Sequence, residues 1–222
     1  GMDQLFDMMP RVVRVMFGVG SLSLDSPEGF YCCMFLFISL ICYAHAALLG
    51  SSILAKEEQD KTAEFLFTRP VKRSTVVTAK ILAGLVSLAV IALVAYLGSV
   101  LSFLPHVEGV DMKNDLLITF CGMFITQILF FFLGLFLSTM LKDGKKATVF
   151  SAGLLFASYL GSVFIEMSDN KNLDILSPMR YFNGVNVMEN GFEMLFVVTT
   201  AIIVTLLVIF SYRCFAKRNL NI

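Results

Sequence analysis

The chain has 222 residues, of which 57% are hydrophobic, and its 17 basic and 17 acidic residues cancel to a formal net charge of zero. Its mean hydropathy of +0.80 exceeds what a soluble core of this size normally carries, which disfavours a soluble globular protein. The balanced charge gives no electrostatic reason to expect a nucleic-acid partner.

Residues 1–29 contain apolar side chains at mixed i+3 and i+4 spacings. This pattern predicts a short amphipathic helix that lies on the outer membrane surface and does not cross the bilayer. The apolar set consists of Leu5, Phe6, Met9, Val12, Val13, Met16 and Phe17.

Five later stretches are apolar on every face and long enough to cross a bilayer, since roughly 20 helical residues span a hydrocarbon core about 30 Å thick. Because all faces are apolar, the pattern favours helices over the alternating strands of a membrane barrel. The predicted fold class is an all-α integral membrane protein with five transmembrane helices. The predicted spans are 30–55, 81–104, 116–141, 147–165 and 194–212.

Basic residues are distributed unevenly between alternate connections. Three connections together hold 12 of them and the other three hold 5. By the positive-inside rule the richer set is cytoplasmic, which predicts a multi-pass protein of the cell membrane with an external N-terminus and a cytoplasmic C-terminus. The richer set is 56–80, 142–146 and 213–222, and the poorer set is 1–29, 105–115 and 166–193.

Two strongly polar residues lie deep inside predicted spans, His45 in the first and Gln127 in the third. Each has two readings, an interhelical hydrogen bond or the lining of a transport pathway. The chain has no CxxC pair and only one further histidine, His106, so neither a metal site nor a catalytic site is predicted.

Small residues recur four positions apart on two spans, which places each set on one helix face and lets another backbone approach closely. The pattern predicts helix packing and does not say whether the neighbouring helix belongs to the same subunit. The residues are Gly134 and Ser138 on the third span, and Gly153, Ala157 and Gly161 on the fourth.

The connection 56–80 begins with a short apolar helix face, because Ala63, Leu66 and Phe67 fall at i, i+3 and i+4. The alternative is a solvated loop whose basic residues only set the topology. An exposed cluster of Phe65, Leu66 and Phe67 is costly unless something buries it, so a docking face is favoured.

A turn follows at 68–73, because Pro70 disfavours helix at Arg69. Ser74 can then cap a new helix that runs through Lys80 into the second span. The whole connection is therefore predicted to be a helix, a turn and a second helix.

This connection resembles the E-E-x-x-x-T-x-E-x-L stretch, continuing as S/T-R/K-P-V-x-R, of permease subunits of type-2 ATP-binding-cassette (ABC) exporters. The matching residues are Glu57, Glu58, Lys61, Thr62, Glu64, Phe65, Leu66, Thr68, Arg69, Pro70, Val71, Arg73, Ser74 and Lys80. Two further strings resemble the same family: 177–182 is similar to its S-P-x-x-Y-F segment, and 215–220 to its closing F-x-K-R-D-L, with Asn219 in place of the aspartate.

The resemblance implies a permease that pairs with a separate ATPase and moves a substrate outward, with 56–80 as the coupling segment. The implied ATPase-coupling residues are Glu57, Glu58, Lys61, Thr62, Glu64, Phe65, Leu66, Phe67, Arg69, Pro70 and Arg73. Members of the family usually have six spans, so the first one is expected to be missing ahead of the external segment 1–29.

The chain has no GxxxxGKS/T loop, so its backbone cannot cradle the phosphates of ATP in the usual way. No cofactor is therefore expected in this chain, and ATP and Mg are expected on the ATPase subunit. The other expected partners are a second permease copy, identical or homologous, and membrane lipid.

Other classes of protein fit the residues less well. A non-enzymatic membrane sensor or assembly factor shares the spans and would not co-purify with an ATPase. An intramembrane protease of the paired-glutamate type would use Glu57 and Glu58, but its pattern wants an arginine where Thr62 stands. A secondary transporter is disfavoured because the spans carry no acidic or basic residue for ion coupling.

Overall fold

The computed structural model describes residues 8–18, 25–54, 73–103, 105, 112–141, 143–168 and 170–217. Within these ranges the chain is helical, with turns and no strand. The helices are α1 (Arg11–Met16), α2 (Pro27–Ile53), α3 (Arg73–Phe103), α4 (Met112–Met140), α5 (Gly144–Ser168), a 3-10 helix (Lys171–Leu176), α6 (Gly184–Asn190) and α7 (Met194–Lys217).

Five of these helices, α2, α3, α4, α5 and α7, are long and apolar enough to cross a membrane. The predicted all-α class with five spans is thereby confirmed. The helices extend past the apolar stretches that predicted them. The 31 residues of α3 measure about 46 Å at 1.5 Å each, because the helix starts well before the apolar run and no glycine or proline interrupts that start.

The described chain falls into two compact units. Unit 1 comprises residues 1–42, 91–126 and 156–197, and unit 2 comprises 43–90, 127–155 and 198–222. Every long helix contributes residues to both units. Unit 1 contains the ends at which α2 and α4 begin, and unit 2 contains the ends at which they finish.

Helices α2 and α4 supply most of the buried surface. In their most apolar stretches, 44% and 61% of the residues are buried, against 17% in each of α3, α5 and α7. The run Phe130, Phe131 and Phe132 of α4 is buried throughout, so these rings are core residues and do not face lipid. Large apolar side chains on α3, α5 and α7 remain exposed, as expected for helices bounded by lipid.

Helix α1 is only six residues long and has no buried residue. It begins directly after Pro10, whose fixed φ suits the start of a helix. Its position on a membrane surface stays a prediction, and Leu5 and Phe6 of the predicted apolar set lie outside the described residues. The end of the helix is bonded to two long helices. The Tyr159 hydroxyl of α5 donates to the Met16 carbonyl at 2.7 Å, and the Cys33 thiol of α2 donates to the Phe17 carbonyl at 3.1 Å.

Candidate functional site

Most of the predicted coupling segment lies outside the described residues. The described residues stop at Leu54, just after α2, and start again at Arg73, the first residue of α3. Arg73 is placed only as part of that helix. The other predicted coupling residues stay a prediction, namely Glu57, Glu58, Lys61, Thr62, Glu64, Phe65, Leu66, Phe67, Arg69 and Pro70.

The two helices that flank this segment both pack on Phe131 of α4, within unit 2. A side chain at Gly50 of α2 would meet the Phe131 carbonyl, and one at Gly84 of α3 would meet the Phe131 ring. Gly84 also faces α2, because its Cβ would lie 3.3 Å from the Cδ1 of Ile53. A displacement of α2 or α3 would therefore shift the contacts that each helix makes with the buried Phe131.

The start of α3 is also bonded to the end of α7. The hydroxyls of Thr78 and Tyr212 share a hydrogen bond of 2.7 Å, and Thr78 donates to the Ser74 carbonyl one turn earlier. Both residues belong to unit 2. The first turns of α3, which form the last part of the predicted coupling segment 56–80, are thus attached to a third spanning helix besides α2 and α4.

Helices α2 and α4 approach each other closely at Gly134 as well as at Gly50. A side chain there would meet the backbone of α2, at the Ala47 carbonyl oxygen and, 2.9 Å away, the Ser51 amide nitrogen. Only a glycine permits this approach, since backbone cannot move aside as a flexible side chain can. Ser138, one turn further along, is fully buried.

The small face predicted on α5 has a different environment. No heavy atom of the described chain lies within 4 Å of a Cβ added at Gly153 or Gly161, and Ala157 between them is exposed. Large exposed side chains such as Phe156 and Leu160 stand beside this face. Among the described residues the face is open, so no described helix of this chain packs there.

His45 and Gln127 lie on α2 and α4, the two helices with the most buried surface. Gln127 is fully buried, and His45 is half-buried. The Nδ1 atom of His45 is buried and has no hydrogen-bond partner among the described residues. The two readings made from the sequence, helix packing and pathway lining, both remain predictions.

Residues 170–191 form a segment that the sequence did not predict in this form. It connects α5 to α7 and contacts positions well inside α5 and α4, and we call it the re-entrant segment. The Ser177 hydroxyl donates at 3.1 Å to the carbonyl of Ser158, which precedes the last residue of α5 by ten positions, or about 15 Å. Phe182 packs on Gly122, ten residues and about 15 Å from the start of α4.

The re-entrant segment is folded around apolar and ionic contacts. Tyr181 stacks on Phe196 of α7 with ring centroids 5.0 Å apart, and its hydroxyl donates to the Ile175 carbonyl. The guanidinium of Arg180 donates to Glu166 at the end of α5 and to Asp174 of the 3-10 helix.

This charge cluster is largely withdrawn from solvent. The side chains of Arg180 and Asp174 are 12% and 11% exposed, and that of Glu166 is 37% exposed. Burial by itself lowers the pKa of Arg180, but the hydrogen bonds from both carboxylates outweigh it and leave the pKa above its ordinary value. Arg180 therefore remains charged, and in this structure it bridges the carboxyl groups of Glu166 and Asp174.

The sequence signal for this cluster is the isolated arginine in the string 177–182, which was recognised only as part of a family pattern. Its partners stand 6 and 14 residues earlier in the chain. Glu166 lies on α5 and Asp174 on the 3-10 helix, so no single helix connects either residue to Arg180. Residue spacing therefore could not pair them.

These features define a multi-pass helical membrane protein whose described residues contain no cluster of histidine, cysteine or acidic side chains fit to hold a metal. The model of the ABC-2 family transporter proteins matches residues 4–220, and the chain belongs to that family. The match confirms the resemblance found in the sequence strings. A comparison with curated proteins found no match.

Proposed function

We propose that this chain is the permease subunit of an ABC exporter, which moves a substrate outward with energy from ATP hydrolysed by a separate ATPase subunit. The single observation that carries the proposal is the family match over 4–220, which includes the whole predicted coupling segment. ATP and Mg are bound by the ATPase, and this chain supplies the membrane path.

The packing of the flanking helices supports the coupling role of 56–80. Helices α2 and α3, which enter and leave this segment, both contact Phe131 in the core of unit 2. A push from a docked ATPase at the segment reaches this core through two helices at once. The cargo is proposed to be hydrophobic or amphipathic, because the middles of the spanning helices carry no charged residue.

The permease is proposed to work beside a second permease copy in the cell membrane, surrounded by lipid. The open face of α5 around Gly153 and Gly161 supports this, since small residues permit a close helix contact. The C-terminus is placed in the cytoplasm by the excess of basic residues on that side.

The function is tested by co-expressing the tagged permease with a candidate ABC ATPase subunit. We expect the two to purify together in detergent, and we expect ATP hydrolysis to rise when the pair is placed in lipid. A tagged permease with Leu66 and Phe67 both replaced by aspartate is the matched control, because it keeps all five spans and changes only the coupling segment. Wild-type permease that retains no ATPase favours the sensor or assembly-factor alternative.

The orientation is tested with single cysteines in a background from which the native cysteines have been removed. Lys113 and Leu176 are exposed, so cysteines there should react with an impermeant thiol reagent outside intact cells, whereas one at exposed Lys145 should react only after lysis. Asp174 lies in the same predicted external connection as Leu176, but its side chain is buried beside Arg180. A cysteine at that position would therefore react poorly with the reagent. External labelling at Lys145 contradicts the proposed orientation.

A further inference from the structure

The re-entrant segment contacts the helices of unit 1 in two chemically different ways. Toward α2 and α4 the contacts are apolar and close. A side chain at Gly122 of α4 would lie 2.8 Å from the Cβ of Phe182, and a side chain at Gly184 would lie 3.0 Å from the Phe35 ring of α2. Tight interdigitation of this kind resists separation, because each void left behind loses dispersion contacts.

Toward α5 the segment makes a hydrogen bond and an ion pair. The Ser177 hydroxyl donates to the Ser158 carbonyl, and the Arg180 guanidinium donates to Glu166. We call this line of contact the α5 seam. Helix α5 is also weakly embedded, since only 17% of its most apolar stretch is buried, against 44% for α2 and 61% for α4.

The charges of the α5 seam are arranged so that it can open at low cost. Arg180 has one carboxylate partner on α5, Glu166, and a second on its own segment, Asp174. When Glu166 moves away, Arg180 keeps Asp174, so no buried charge is left without a partner. Glu166 is the most exposed of the three and passes into water.

The hydrogen bond from Ser177 to the Ser158 carbonyl can also break at low cost. The Ser158 carbonyl lies in the interior of α5, where it already accepts a helical hydrogen bond from the backbone amide four residues later. Loss of the Ser177 hydroxyl removes a second bond to that oxygen and leaves the helix intact. When either bond across the α5 seam breaks, no buried polar group of α5 is left without a partner.

We propose that the α5 seam is a gate: the end of α5, residues 156–168, parts from the re-entrant segment during the transport cycle, while the segment stays seated on α2 and α4. This inference rests on the transport function proposed above. Opening the seam admits water to Ser177, which is 2% exposed in this structure. Glu166 is the residue whose charge holds the gate shut.

The first test uses the permease alone and needs neither cargo nor ATPase. Ser177→Cys is placed in a background without native cysteines, and its reaction with an impermeant maleimide is timed in membranes. Glu166→Gln should raise the rate several-fold, because it removes the charge on the α5 side. Asp174→Asn is the matched control and should leave the rate near that of the Ser177→Cys parent, because the bond to Glu166 remains.

The second test locks each side of the segment in turn. Ser158→Cys with Ser177→Cys joins the segment to α5, and Met188→Cys joins it to native Cys32 of α2, whose sulfur lies 3.4 Å from that of Met188. In the permease–ATPase complex, oxidation of the first pair should lower ATP hydrolysis at least fivefold, with recovery on reduction. Oxidation of the second pair should leave hydrolysis unchanged.

The proposal is overturned if Asp174→Asn accelerates labelling as much as Glu166→Gln, if neither does, or if the α2 lock inhibits as strongly as the α5 lock. The gate and the proposed function can be disproved separately. A permease that binds no ATPase defeats the proposed function, while the labelling rates still decide whether the α5 seam opens.

Discussion

Replacing Leu66 and Phe67 with aspartate is expected to abolish ATPase binding and stimulated ATP hydrolysis while leaving the permease inserted at normal levels. The two side chains form the apolar face predicted at 63–67, and a charged face cannot dock in an apolar groove. Burial of each side chain contributes about 1.5 to 3 kcal/mol, so their loss removes roughly 3 to 6 kcal/mol, enough to decide a modest interface.

The measurement is retention of the ATPase during purification, together with the rate of ATP hydrolysis by the reconstituted pair. A matched control replaces Leu66 with Met and Phe67 with Leu, which keeps the face apolar and should keep both values close to wild type. Wild-type values for the aspartate variant would make 56–80 a solvated loop that only sets topology.

Gly134→Val is expected to destabilise the folded permease strongly. The new side chain meets the Ala47 carbonyl and the Ser51 amide of α2, and these backbone atoms move only if the whole helix shifts. Overpacking of this kind costs about 1 to 3 kcal/mol, and more where backbone is involved. The readout is the midpoint of thermal unfolding in detergent, with an expected fall of roughly 5 °C or more.

Gly153→Val supplies the matched control for that measurement. It makes the same substitution inside a spanning helix, at a position where no atom of the described chain lies within 4 Å of the added Cβ. The unfolding midpoint should stay within about a degree of wild type, and only the association of permease copies should weaken. Equal destabilisation by the two variants would contradict the close α2 and α4 contact.

Much of the fold was readable from the sequence because a bilayer imposes a simple rule. A helix that crosses it must be apolar over about 20 residues, whichever neighbours it has. The five spans needed no knowledge of packing for this reason. The family also followed from local strings, above all 57–73, since these residues are adjacent in the chain.

The helix ends were less predictable from hydropathy. The apolar stretch 81–104 marks only the part of α3 that matches hydrocarbon, whereas the helix begins at Arg73, one residue before the start predicted from Pro70 and Ser74. Helix formation beyond the bilayer depends on backbone hydrogen bonds and the absence of a breaker, and hydropathy does not report either one.

The sequence also could not distinguish two small-residue faces that look alike. Gly134 lies against the backbone of α2, whereas no atom of the described residues lies within 4 Å of a Cβ added at Gly153 or Gly161. The same spacing permits close packing in both places, and only the arrangement of the helices decides which face is used inside the chain.

By itself, the sequence determined that this is a five-span helical membrane protein of the ABC-2 transporter type, with a polar connection suited to contact a partner. Only the tertiary structure brought Arg180 together with Glu166 and Asp174, and set Ser177 about 15 Å below the end of α5. The spans depend on local composition, which each stretch carries alone. The re-entrant segment depends on contacts between residues distant in the chain, which exist only once the helices have packed.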